Sequence, residues 1–471
     1  MYVKRLVISE VLGFMGARNV DLTLQRPDGT YAGLTVLAGR NGSGKTSILR
    51  CLALLLAGNS GANALAPDYP DWRAREDRPG KISGTLQLDV DEVREVLGRE
   101  PVNSTERSPS FGEMGVEINL PVREERKQSS GARSTVIAEW VEAVPVAGFG
   151  KDEDSPPGAK QKNTTVESRE KEQRWFAAGY GPFRRLSGSL AEASTARSAR
   201  ATHDRFATLF SEEFALGESV SWLIGLHLRK LEGEREAGLL LDSVLRLLAD
   251  GLMRDGYSIK QVNSKGLWVS HNGVDISLSQ MSDGYRTVTA LILDMVRGLF
   301  DFFGYLPIEE VGGRVTVMLP GVILVDEIDA HLHVSWQQRI GPWLRDHFPL
   351  IQFIVTTHSP YVCQGADSGG LVRLAGPDED APPTPVSGSL YNRIVYGSGD
   401  DAVMSELFGL DSPYSERAED VRRELVRLED KVFSGDATEA EVDRYRVLSD
   451  RLTSSSSARV DEVAARLSDV E

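Results

Sequence analysis

Residues 39 to 46 read Gly39-Arg40-Asn41-Gly42-Ser43-Gly44-Lys45-Thr46, and no other stretch constrains the fold as strongly. Glycines at 39, 42 and 44 let the backbone curl so that successive N–H groups aim at one anion. The residues before the loop, Gly33-Leu34-Thr35-Val36-Leu37-Ala38, form an apolar strand. After Ser47, residues Ile48, Leu49, Leu52, Leu55 and Leu56 share one face at helical spacing, with Gly58 as the stop. Strand, glycine-rich loop and helix in this order put bound phosphates at a helix N-terminus. Lys45 then offers a point charge to β- and γ-phosphates, and the Thr46 hydroxyl faces Mg²⁺. ATP and Mg²⁺ are the expected ligands.

The balance of the 471 residues, 41% hydrophobic and 26% charged, is that of a globular protein. A formal charge of −16 argues against a chain that coats nucleic acid over its whole surface, although a local basic groove stays open. Cys51 and Cys363 have no metal-binding neighbours, which points to a reducing compartment and a cytoplasmic location. The opening residues lack a signal-peptide core, and no apolar run reads as a membrane span, so no membrane partner is expected.

Two more strands carry polar residues at their ends. Val322-Ile323-Leu324-Val325 runs into Asp326-Glu327, the pattern of a buried parallel strand with carboxylates at the ligand-binding edge of the sheet. Asp326 is placed to hold the metal opposite Thr46, and Glu327 to orient and deprotonate water. Ile351 to Thr357 is again apolar and ends at His358-Ser359-Pro360. Trp336, Ile340, Trp343 and Leu344 lie between, so the unit reads strand–helix–strand and brings His358 to the same edge as Glu327. A fourth stretch, Ser282-Asp283-Gly284, opens an amphipathic helix with Val288, Leu291, Ile292, Met295, Val296 and Leu299. By itself it is an ordinary helix cap. His331 and His333 lack the further ligands that a metal site needs.

Elsewhere, alternating residues between 81 and 145 predict a β-rich lobe, and residues 148 to 169 read as a polar loop. Residues from Phe206 to Leu252 are helical in pattern, a short β element surrounds Leu267-Trp268-Val269, and helical hairpins follow Asp400. The expected organisation is residues 1–195 and 263–400 as the two parts of one α/β domain, 196–262 as a helical insertion, and 401–471 as a helical interaction module.

Together the four motifs resemble the ABC-type ATPase heads of the SMC and RecF-like group. Asp326-Glu327-Ile328-Asp329 resembles that group's second motif running into its D-loop, and His358 its switch histidine. Ser282, Asp283 and Gly284 fall where its signature lies, although Asp283 and Tyr285 depart from the glycine and glutamine of transporters. The resemblance implies that ATP clamps a dimer, that Ser282 and Gly284 act in trans on the partner's nucleotide, and that Asp329 couples the two sites. No glutamine stands clearly in the family's Q-loop; Tyr180 to Arg185 occupy its place, with Arg184 or Arg185 as contacts to phosphate or substrate. Gly179 to Arg185 and Leu390 to Gly397 are further similar to stand-alone Septu-type and retron-associated ATPases of anti-phage defence, which work with a separate effector such as a nuclease.

The function expected is a dimerising ATPase that senses infection and controls an effector through its C-terminal helices. A RecF-like DNA-end or repair ATPase is the alternative, with nucleic acid as partner. An ATP-locked scaffold with negligible turnover is a third reading.

Overall fold

The computed structural model describes residues 1–89, 111–120, 139–143, 175–182, 202–211, 218–253 and 256–452. They fall into two units, 1–408 and 409–471. The expected loop at 148–169, Arg184 and Arg185 lie outside the described residues, as does the last stretch of the C-terminal segment.

The first unit begins with β1 (Tyr2–Ser9), β2 (Val20–Thr23), β3 (Leu34–Ala38) and helix α1 (Lys45–Leu65). Strands β4 (Gly80–Asp89), β5 (Phe111–Leu120), β6 (Glu139–Ala143) and β7 (Ala177–Tyr180) follow. Next come helices α2 (Ala207–Phe210), α3 (Glu218–Leu231) and α4 (Arg235–Ala249). Strands β8 (Tyr257–Asn263), β9 (Gly266–His271) and β10 (Val274–Ser277) lead into the long helix α5 (Asp283–Phe303). A hairpin of β11 (Ile308–Val311) and β12 (Arg314–Val317) precedes β13 (Gly321–Val325), α6 (Val334–Gln337), α7 (Ile340–His347) and β14 (Ile351–Thr357). The unit closes with α8 (Pro360–Gln364), β15 (Leu371–Arg373), β16 (Thr384–Pro385), α9 (Gly388–Val395) and α10 (Gly399–Val403).

The central sheet has the order β16-β15-β3-β14-β13-β7. All of its pairings are parallel except β15 with β16. Strands covered on both faces are apolar throughout, and their alternate residues feed two cores. Val322 and Leu324 of β13 join one core with α1 and with β1, β2, β4 and β5. Ile323 and Val325 join the other, with α3, α4, α5 and α7. The β-rich lobe is a five-stranded antiparallel sheet, β2-β1-β4-β5-β6. α1 is therefore enclosed between two sheets, which is why it is apolar on nearly every side. By length and composition it could cross a bilayer, yet Ile48 to Leu56 are a buried run broken only by Arg50.

Three local expectations are corrected. Gly58 does not stop α1: it takes φ 75° and kinks it, and the chain returns to helix because Gly61 and Ala62 are still buried. The element around Trp268 is a full three-stranded sheet, β10-β9-β8. The single helix expected between β13 and β14 is two, α6 and α7.

Near the edge of the central sheet, Gly179 and Gly181 flank Tyr180 where no side chain fits. A Cβ on Gly179 would meet Leu209 at 2.2 Å, and one on Gly181 would meet the Thr208 carbonyl at 1.9 Å. Thr208 Oγ1 donates to Gly179 O and accepts the Gly181 N–H, so the segment is clamped from both sides.

The second unit is a helical hairpin of α11 (Glu416–Ser434) and α12 (Glu439–Arg451). Gly435 at φ 81° ends the first helix, and a Thr438–Glu441 capping box starts the second. Arg444 binds Glu424 across the pair through both carboxylate oxygens, at 2.9 and 3.0 Å. Leu448 is buried, whereas Phe433 and Val447 are exposed.

Gly181→Ala is expected to destabilise the first unit by about 1–3 kcal/mol through overpacking against a backbone carbonyl. Thermal denaturation checks this; an unchanged melting temperature contradicts the close approach.

Candidate functional site

The C-terminal ends of β3, β14 and β13 lie side by side, so three separate sequence motifs meet at one edge. A cleft of about 400 Å³ opens there, lined by Asn41, Gly42, Ser43, Gly44, Lys45, Thr46, Ser47, Asp326, Glu327 and His358. Gly13, Phe14 and Arg18 line it as well.

The loop is held open by Gly42 at φ 77° and Gly44 at φ 92°. At Gly44 a Cβ would also sit 2.5 Å from the Phe14 ring, so the residue must lack one. Lys45 is buried, and its Nζ donates to the carbonyls of Gly39 at 2.8 Å and Arg40 at 3.0 Å. Burial pulls its pKa below the ordinary lysine value, while Asp326, Glu327 and Asp329 oppose the shift.

Asp326 is 2% exposed. Its Oδ2 accepts from Thr46 Oγ1 at 2.8 Å and its Oδ1 from Thr356 Oγ1 at 2.5 Å. A buried carboxylate so bonded is fixed relative to both the glycine loop and β14. Glu327 follows at φ 45°, in the left-handed region that costs a non-glycine residue about 1–3 kcal/mol. Two bonds hold it there: Glu327 N–H to Thr356 Oγ1 at 2.7 Å and Ile328 N–H to Thr356 O at 3.0 Å. The turn throws the Glu327 side chain into the cleft.

Asp329 does not line the cleft. Its Oδ1 accepts from Thr357 Oγ1 at 2.5 Å and from the His358 N–H at 3.4 Å, which ties the β13 turn to the histidine. Partial burial, and then the Lys45 ammonium, push the His358 pKa below its usual value against the pull of Asp329, Glu327 and Asp326. The cleft thus favours the neutral imidazole.

The remaining expected residues lie elsewhere. Gly39 is closely packed: a Cβ there would lie 2.6 Å from Leu374 O. Arg40 turns to Asp378 at 3.0 Å. Ser282, Asp283 and Gly284 are not among the lining residues of this cleft. Ser282 precedes α5 but makes no side-chain capping bond, and Asp283 pairs with Arg286 at 3.0 Å, so its carboxylate meets a cation. Gly284 packs on the D-loop turn, where a Cβ would be 2.8 Å from His331 O. His333 caps α6 by accepting the Ser335 N–H.

Sequence reasoning missed Gly13, Phe14 and Arg18. They sit in the β1–β2 connection, far along the chain from the glycine loop. Arg18 is anchored by the Gly376 carbonyl at 2.6 Å. Only the close pairing of a bare Gly44 with an aromatic ring could have signalled them.

A glycine loop, a buried carboxylate bonded to its threonine, a strained glutamate and a histidine on one parallel-sheet edge define a P-loop nucleotide-binding fold. The family described as "AAA domain, putative AbiEii toxin, Type IV TA system" matches residues 34–364, and the chain belongs to it. Among curated proteins it is similar to the Retron Ec83 probable ATPase of Escherichia coli, 41% identical over 129 residues that cover 27% of this chain and 22% of that protein. It is also similar to the Septu protein PtuA of Bacillus mycoides strain KBAB4, 24% identical over 372 residues, 79% of this chain and 40% of that one. The chain thus spans less than half the length of the curated relatives it matches. These relatives bear out the resemblance to retron-associated and Septu ATPases. Among solved structures, the SMC head domain from Thermotoga maritima is similar at 15% identity, covering 82% of this chain and 100% of that one, with a TM-score of 0.39.

His358 is expected to titrate below 6.5, the ordinary histidine value. Lys45→Met removes a neighbouring cation that disfavours the imidazolium, so the His358 pKa should rise in that variant. NMR titration, with the signal assigned by its loss in His358→Asn, checks both directions; a midpoint above 6.5 in the unmodified protein contradicts the cleft environment.

Proposed function

We propose that this chain is a Mg²⁺-dependent ATPase whose nucleotide site is completed by a second copy, and that it controls an effector in anti-phage defence. The observation that carries the first part is the Thr46–Asp326 hydrogen bond at 2.8 Å inside a cleft shared with Lys45, Glu327 and His358. A hydroxyl and a carboxylate are hard oxygen donors, the set that suits Mg²⁺ with phosphate and water. Thr46 and Asp326 would hold the ion, and when bound it neutralises charge on the phosphates.

The chain's own residues account for the other steps. Loop N–H groups from Asn41 to Thr46 bind the phosphates, with Lys45 exchanging its carbonyl partners for phosphate oxygens. Glu327 orients a water and takes its proton as the oxygen attacks the γ-phosphorus. The bond from that phosphorus to the bridging oxygen breaks, giving ADP and phosphate. His358 can donate one hydrogen bond to the γ-phosphate through its ring N–H. Since Ser282 and Gly284 lie away from the cleft of their own chain, they are assigned to the partner's nucleotide in trans, with Asp329 joining the two sites.

The names of the retron and Septu relatives support the defence role. The hairpin of α11 and α12, with Phe433 and Val447 exposed, is the surface assigned to the effector. A cytoplasmic setting goes with this role. The formal charge of −16 disfavours the DNA-repair alternative.

Glu327→Gln is expected to keep ATP binding, lose about 100-fold or more in turnover, and accumulate a closed dimer seen by light scattering. Turnover at the unmodified rate would remove Glu327 from its role, and negligible turnover by the unmodified chain would favour the scaffold reading. Removing residues 409–471 should spare turnover and abolish effector association in a pull-down; a collapse of ATPase activity would make the hairpin part of the catalytic fold. Salt-dependent DNA affinity would favour the repair reading.

A further inference from the structure

Asp294 is a buried carboxylate outside the nucleotide cleft, 6% exposed in the middle of α5. Its Oδ2 accepts from Tyr180 Oη at 3.1 Å and its Oδ1 from Ser219 Oγ at 2.9 Å. Three elements therefore meet on one charge: β7 through Tyr180, α5 through Asp294, and α3 through Ser219. Burying a carboxylate is costly unless donors surround it, and an apolar residue would fill the same space without that requirement.

Tyr180 has a second role. Its carbonyl accepts the Asp326 N–H at 2.7 Å, and it pairs with Val325 in the sheet register. One residue thus holds the backbone of the metal-bearing carboxylate and, through its side chain, the carboxylate of α5. The Thr208 clamp on Gly179 and Gly181 leaves the Tyr180 backbone little freedom. Asp294 lies twelve residues beyond Ser282 on one continuous helix. That is about 18 Å of rigid rod at 1.5 Å per residue.

We propose that Tyr180 and Asp294 are positioning residues that couple the nucleotide state at Asp326 to the placement of Ser282 at the start of α5. The inference rests on the ATPase reading above. A shift of Asp326 when phosphate binds is passed through the Tyr180 carbonyl to its ring, and from the hydroxyl to Asp294. The helix moves as a unit and carries Ser282 towards or away from the partner's nucleotide. Ser219 passes the same displacement to α3.

The test is a double-mutant cycle on the full chain. Tyr180→Phe removes only the hydroxyl. It should lower kcat by about 3- to 30-fold, leave KM for ATP within about 2-fold, and weaken ATP-dependent dimerisation. Combined with Ser282→Ala, the two losses should be less than multiplicative, because both act through one contact. Independent losses, or a Tyr180→Phe variant that loses thermal stability while keeping kcat and dimerisation, would overturn the coupling. If Tyr180→Phe does not fold, Ser219→Ala enters the same cycle; a kcat equal to that of the unmodified chain then overturns the proposal. Glu327→Gln runs alongside. Unmodified protein with no turnover above that variant defeats the ATPase reading itself, whereas normal turnover with an inert Tyr180→Phe defeats only the coupling.

Discussion

The site depends on how Asp326 is satisfied. A carboxylate at 2% exposure must have donors, and it takes them from Thr46 on the glycine loop and Thr356 on β14. Those two bonds tie together motifs that are 280 and 30 residues away in sequence. Thr356 Oγ1 also accepts the Glu327 N–H, so the same hydroxyl that steadies the Asp326 carboxylate sets the turn of the glutamate. The parallel order β3-β14-β13 makes this possible, because it stacks three strand ends at one edge. A sheet that placed another strand between β3 and β13 in place of β14 would keep every motif and lose the site.

The same logic accounts for what lies outside the cleft. Polar groups at strand ends line the cleft, and Ser282 to Gly284 lie at the head of α5, packed on the turn after β13. Gly284 packs against the His331 carbonyl, and Asp329 reaches back to Thr357 and His358. The turn after β13 therefore touches both the edge that carries the cleft and the start of α5. Asp283, the apparent misfit of the signature, is neutralised by Arg286 one helical turn on.

Legibility followed burial. β3, β13 and β14 are covered on both faces, so each reads as a continuous apolar run, and each leads into a segment that lines the cleft: Asn41 to Ser47, Asp326 and Glu327, and His358. The strands β8 to β10 leave more side chains exposed and read only as a short element. The β11–β12 hairpin carries only short apolar stretches, with Val315 and Val317 on one strand and Glu309 and Glu310 on the other, and reads weakly. Gly58 looked like a helix end because the local rule favours it, but the burial of later residues outweighs that rule. Phe14, Arg18 and the hydroxyl of Tyr180 matter through contacts across the fold, and no spacing rule reports such contacts.

Lys45 in the ligand-free chain is already bonded to Gly39 O and Arg40 O. The loop is thus its own competitor. An incoming anion must return to the ammonium what the two carbonyls supplied. A polyphosphate presents oxygens from two phosphorus centres and can replace both bonds at once. The ammonium's position is thus set by the loop's own backbone, before any base or second copy is engaged.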